Sequence, residues 1–149
     1  MDKRRKPVTI LIVDDDPDDQ RLTSEALAGS EPPKDIRFVG DGEELLEYLR
    51  RRGKYADANS APRPGLILLD LNLPRKDGRE ALREIKQDPE LRLIPVTVLT
   101  VSDADTDIHC VYDLGANSYL CKPRSYTGLM EAMRSWSRFW LDTVKLPGR

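Results

Sequence analysis

Polar groups of different chemistry follow the short apolar runs of this chain: Asp14 and Asp15 after residues 8–13, Asp70 and Asn72 after 66–69, Thr100 at the end of 95–101, and Lys122 after 119–121. Carboxylates crowded into one crevice repel each other unless a cation neutralises them. Hard oxygen ligands suit Mg2+ (or Mn2+), and Mg2+ keeps several waters while taking only one or two protein carboxylates. A divalent cation is therefore expected with this set. A single ammonium cannot balance three carboxylates, but Lys122 is suited as a point charge to hold an arriving phosphoryl oxygen.

The acids after the first run divide further. In "DDDPDD" (14–19), Pro17 suits the first position of a helix, which makes Asp16 the N-cap. Asp18 and Asp19 then fall in the first turn, where negative charge meets the positive end of the helix dipole. Only Asp14 and Asp15 are left for a cation.

The elements that must position these groups follow from alternation. Apolar, β-branched runs at 8–13, 36–39, 66–69, 95–101 and 119–121 are separated by segments of helical character near 17–28, 42–52, 77–87, 104–114 and 125–142. This alternation predicts a parallel α/β sheet. The first, third and fourth runs are almost continuously apolar, as central strands covered on both faces should be. In such a sheet the functional crevice lies beyond the carboxyl ends of the strands, where the polar groups above are found. Gly29 and Gly53 are expected to end the first two helices in the left-handed conformation, and 54–64 reads as a long surface loop.

Composition narrows the function classes. The 149 residues suit one domain, and a net charge of −2 argues against a general nucleic-acid binder. Lys3, Arg4, Arg5 and Lys6 form a short solvated arm, so 1–7 is set apart from the body of the chain. No apolar run reaches the length of a membrane span or a signal-peptide core, and the expected location is the cytoplasm. Cys110 and Cys121 lack the spacing of a zinc site, and His109 reads as a helix surface residue.

The last helical segment carries more apolar residues than one buried stripe needs. Trp136, Phe139, Trp140 and Leu141 crowd its final turns, which predicts a second apolar surface for a partner chain.

Taken in order, the acidic pair, Asp70, Thr100 and Lys122-Pro123 on a five-unit α/β pattern resemble the receiver domain of two-component response regulators over nearly the whole chain. More narrowly, "LDLNLPRKDGREALREIKQDPELRLIPVTVLT" and "FWLDTVKLP" resemble the single-domain regulators that partner bacterial and cyanobacterial phytochromes. The resemblance implies a flavodoxin-like (βα)5 doubly wound sandwich, its five-stranded parallel sheet in the order 2-1-3-4-5. It divides the chain into a receiver domain, 8–142, and a tail, 143–149, that can join a dimer interface.

The resemblance also implies roles. Asp70 becomes the phosphoacceptor, attacking a phosphohistidine of a sensor histidine kinase, here a bacteriophytochrome. Asp15 and Asp70 bind the metal directly, Asn72 through its main-chain carbonyl and Asp14 through a water. Lys122 and Thr100 hold the phosphoryl group, and Thr100 with Tyr119 forms a two-state switch that alters the α4-β5-α5 surface. Val101 departs from the small residue usual after the threonine, which implies altered phosphorylation or hydrolysis rates. Arg124 replaces an aromatic residue.

The short stretch beyond Lys122 holds no output domain, so a stand-alone, non-enzymatic regulator acting through contact is expected, as a homodimer through the fourth and fifth helices and the tail. The alternative is a Mg2+-dependent phosphatase or phosphotransferase with an aspartyl nucleophile. Haloacid-dehalogenase-like enzymes of that kind need a second acid two residues after the nucleophile, where this chain has Asn72. A nucleotide binder would need a glycine-rich loop after the first strand, where Asp14–Asp16 stand instead.

Overall fold

The computed structural model describes residues 7–29 and 33–147, so the basic arm expected at 1–6 lies outside the described residues. Its five strands are β1 (Val8–Val13), β2 (Lys34–Val39), β3 (Leu66–Leu69), β4 (Val96–Thr100) and β5 (Ser118–Cys121), paired in parallel in the order β2-β1-β3-β4-β5. The helices are α1 (Pro17–Ala28), α2 (Gly42–Arg50), α3 (Gly78–Gln87), α4 (Asp105–Asp113) and α5 (Tyr126–Ser137). This is the doubly wound architecture expected.

Two cores explain the continuous apolar runs, because successive strand residues point to opposite faces. Leu11, Val13, Ile67, Leu69, Val96 and Val98 pack with α2 and α3, while Ile10, Ile12, Leu66, Leu68 and Leu99 pack with α1 and α5. β2 starts at Lys34, two residues before its apolar signal, since the half-exposed Lys34 and Asp35 pair with Val8 and Thr9 at the sheet edge.

Helix ends hold one confirmation and two corrections. Asp16 caps α1 by accepting from the Asp18 N–H at 2.9 Å, with Pro17 at the first helical position. Gly29 does end α1, but with φ −75° it is right-handed, its N–H bonding back to Glu25 and Leu27 carbonyls. Arg51, not Gly53, supplies the left-handed stop of α2, at φ 53°. The loop beyond is folded down on α2: Tyr48 Oη donates to the Pro62 carbonyl, Tyr55 Oη donates to Glu44, and Ala61 is buried.

The C-terminal segment corrects the partner surface. Trp136 is only 5% exposed and its indole N–H donates to Thr97 Oγ1 at 2.9 Å, so it belongs to this chain's own core and is not a dimer residue. After Ser137 the helix widens into a π-helical turn, Arg138–Thr143, and Trp140 and Leu141 are partly buried against the α1/α5 core. Phe139 stays half exposed, edge-on to Trp140. The described part of the tail runs back along its own chain, with Leu146 packed on the same core, so it is not a free arm.

Candidate active site

The carboxyl ends of β1, β3, β4 and β5 bring Asp14, Asp70, Thr100 and Lys122 together. Each position is fixed by the sheet ladder: the Asp14 N–H donates to Val39, the Asp70 N–H to Val13 and the Lys122 N–H to Thr100 carbonyls. The Lys122 ammonium is the hub. Its Nζ donates to Asp14 Oδ2 at 2.7 Å, Asp19 Oδ2 at 3.2 Å and Asp70 Oδ2 at 3.2 Å.

Asp70 carries a full set of partners. Its Oδ1 accepts from the Thr100 hydroxyl at 3.0 Å and from the Asn72 N–H at 3.2 Å, and Thr100 itself is completely buried. Asp14, 4% exposed, also accepts from the Asp16 N–H at 3.0 Å. Among the described residues the exposed Asp15 carboxylate has no hydrogen-bond partner.

The electrostatics follow from burial against pairing. Burial pushes the Asp14 carboxyl above its ordinary value, against the opposing pull of Lys122 and the Asp16 N–H. Burial alone would lower the Lys122 ammonium, but the hydrogen bond to Asp14 and the charges of Asp70 and Asp14 override it and hold Lys122 well above the usual lysine range. A cationic lysine therefore stands among three carboxyl groups.

A divalent cation fits this donor set. The carboxylates are all hard oxygen donors, Asp14 is desolvated beyond what its partners offset, and Asp15 is unengaged beside it. Among the described residues no three or more His, Cys, Asp or Glu side chains form a ready cage.

Other expected residues are placed as follows. Asn72 is exposed two residues beyond Asp70. Val101 is 69% exposed directly after Thr100. Tyr119 is half-buried and its hydroxyl donates to the Ser102 carbonyl at 2.7 Å, which ties β5 to the β4–α4 connection; burial raises its phenol above the ordinary value. His109 is on the surface of α4.

The sequence reading missed Asp19. An acid in the first turn of a helix has a sufficient local explanation, yet the fold brings it onto Lys122. It also missed Ser102, Asp107 and Arg79, whose side chains join across the β4–α4 connection and α3.

Comparison with known proteins places the fold. A sequence profile described as "Response regulator receiver domain" matches residues 10–134. The chain belongs to the response regulator receiver domain family. It is 44% identical to the response regulator Rcp1 of Synechocystis sp. over 98% of this chain and 97% of that one. Among solved structures it resembles the phosphorylated cyanobacterial phytochrome response regulator RcpA, with a TM-score of 0.90 and 47% identity over 96% of this chain and all of that one. The Mn(2+)-bound form of Rcp1 gives a TM-score of 0.88 and 44% identity, covering 95% of this chain and 100% of that chain. As a receiver it belongs to the signalling class, and no helix of the described residues is long and apolar enough to cross a membrane.

Proposed function

We propose that this receiver accepts a phosphoryl group on Asp70 from the phosphohistidine of a sensor histidine kinase, a bacteriophytochrome. The observation that carries the reading is the double engagement of one carboxylate: Lys122 Nζ lies on Asp70 Oδ2 while the Thr100 hydroxyl lies on Oδ1. An Asp70 oxygen attacks phosphorus, the bond from phosphorus to the histidine nitrogen breaks, and an aspartyl phosphate results. In this reading Lys122 and Thr100, both within hydrogen-bond distance of Asp70, would stabilise the charge that builds on the equatorial oxygens, which is what phosphoryl transfer needs from a protein.

Asp15 and Asp70 would hold Mg2+ or Mn2+ directly, with the Asn72 main-chain carbonyl and, through water, Asp14. When bound, that cation supplies charge neutralisation for the transferred phosphoryl oxygens. The Mn(2+) in the Rcp1 structure and the phytochrome link of RcpA support the cation and the class of kinase. Thr100 ends β4 and the Tyr119 hydroxyl donates to the Ser102 carbonyl on the connection to α4, and through that connection phosphorylation alters the α4-β5-α5 surface that signals. Such a kinase–regulator pair works in the cytoplasm, and 143–147 serves as a folded extension of the domain 8–142.

The chain pairs with a second copy through Phe139 and the exposed parts of Trp140 and Leu141. Light scattering should show a dimer in the presence or absence of a phosphoryl mimic; a monomer at high concentration under both conditions removes this part of the reading.

Incubation with Mg2+ and a small acyl phosphate, followed by intact-mass measurement, tests the acceptor. A labile phosphoryl adduct is expected on the native chain and not on Asp70→Asn. Absence of an adduct would overturn the acceptor reading, and rapid multiple turnover of varied phosphoesters would replace it with the aspartyl phosphatase or phosphotransferase alternative.

A further inference from the structure

Helix α4 is weakly held by its own sequence. It buries only Val111, and its N-cap, Ala104, offers no side-chain oxygen to the free N–H groups of the first turn. The residues before it are exposed at Val101, Asp103 and Ala104. A connection of this kind needs tethers from elsewhere.

Those tethers form one chain of hydrogen bonds. Asp77 caps α3 and its carboxylate accepts from Arg79 Nη1 at 3.2 Å. Arg79 Nη2 reaches across to Asp107 Oδ1 on α4 at 2.7 Å, and Asp107 Oδ2 accepts from the Ser102 hydroxyl at 2.6 Å. Ser102 then holds the connection from both sides: its Oγ accepts from the Ala104 N–H at 3.2 Å, and its carbonyl accepts from Tyr119 Oη at 2.7 Å.

The pairing with Ser102 and Arg79 holds the Asp107 carboxyl below its ordinary value, as a firmly used anion should be. The chain also starts next to the acceptor. Gly78, between Asp77 and Arg79, donates its N–H to the Leu71 carbonyl at 2.9 Å, and a Cβ there would lie 2.4 Å from the Asp70 carbonyl oxygen. The loop after Asp70 and the loop after Thr100 are thus clamped to each other through Arg79 and Asp107.

We propose that Asp77, Arg79, Asp107 and Ser102 form a positioning latch that holds the β4–α4 connection where Thr100 reaches Asp70 and Tyr119 is bound to the loop. The inference rests on the reading of Asp70 as phosphoacceptor and adds to it the residues that position the β4–α4 connection. Thr100 is engaged with Asp70 in this arrangement, at 3.0 Å. The latch residues touch no reacting atom; they act through the placement of Thr100 and Tyr119. A ligand or modification shifts a two-state element only by its differential interaction with the two states, so contacts that favour one position of the β4–α4 connection bias that equilibrium.

The test uses the full chain carrying Arg79→Met, Asp107→Asn or Ser102→Ala, with Arg79→Lys as the conservative variant. The rate of Asp70 adduct formation from acetyl phosphate with Mg2+ is read by intact mass. The environment of Tyr119 is read by fluorine NMR of 3-fluorotyrosine protein, assigned with Tyr119→Phe. Loss of one charge-assisted link should slow adduct formation about three- to tenfold and move the Tyr119 resonance in the unphosphorylated protein, with Arg79→Lys restoring part of both.

Variants that lower only thermal stability, with rate and Tyr119 resonance unchanged, would show an ordinary structural ion pair and overturn the latch. A native chain that forms no adduct on Asp70 overturns the acceptor reading instead. A native chain that forms it at the same rate as all three variants overturns the latch alone.

Discussion

Lys122→Met tests whether the ammonium is what makes the buried acids tolerable. The lysine side chain is 11% exposed, and those of Asp14 and Asp70 are 5% and 13% exposed, so solvent does little of the neutralising. Methionine keeps the stem and removes the charge. The cost has a ceiling, because Asp14 can take up a proton instead of remaining an unpaired buried anion. For a carboxyl with an ordinary value of 3.8, protonation at pH 7 costs about 4 kcal/mol, and at pH 5 about 1.6 kcal/mol.

The sign follows from the direction of each shift. In the variant, the folded-state Asp14 carboxyl is raised further above its unfolded value, so the variant is relatively most stable below pH 4 and loses stability as pH rises through the raised value. In the native chain Lys122 is itself raised, and its contribution is present below about 10.5 and lost only at more alkaline pH. The gap between the two proteins should therefore be at most about 4 kcal/mol at pH 7 and at most about 1.6 kcal/mol at pH 5, measured by urea unfolding in EDTA. Mg2+ at a hundred times its Kd adds about 2.7 kcal/mol to a state that binds it, and the variant, lacking a competing cation, should gain more than the native chain. A gap that is the same at both pH values, or that Mg2+ leaves untouched, would refute the idea that Lys122 serves as the resident counter-cation of these carboxylates.

Further perturbations separate packing from chemistry. Trp136→Phe removes the indole bond to Thr97 and some buried volume, and should cost about 2–3 kcal/mol in urea unfolding without changing the oligomeric state. Phe139→Ala should do the reverse, changing stability by under about 1 kcal/mol while weakening self-association in light scattering. Gly78→Ala places a methyl group against the Asp70 and Leu71 backbone; it should destabilise by about 2–4 kcal/mol and slow adduct formation on Asp70, and an unaffected rate would contradict the close approach. Val101→Ala should raise adduct formation or hydrolysis by roughly two- to tenfold if the exposed valine narrows access, with unchanged rates counting against it.

How far the sequence reveals this molecule depends on whether a residue's reason is local or tertiary. β1, β3 and β4 were legible because strands covered on both faces must be apolar at every position, and the polar residues at their ends stood out for the same reason. The start of β2 was not, because its first residues are half-exposed and carry charge, so pairing rather than hydrophobicity defines them.

Of the C-terminal aromatics only Trp136 departs from the expected partner surface, because its indole finds Thr97 in the core. On a regular helix Trp136, Phe139 and Trp140 share one face, but the widening at Arg138–Thr143 breaks that register and leaves Phe139 outward while Trp140 leans on the core. Asp19 and the Ser102–Asp107–Arg79 chain were hidden differently. Each member is a common surface residue with an adequate local role, and Arg79 and Asp107 meet across 28 positions of sequence only because α3 and α4 start beside each other at the same sheet edge. The candidate acceptor and its ammonium thus follow from residue type at strand ends. What sets their geometry lies in long-range pairs between ordinary polar side chains, which only the fold can match.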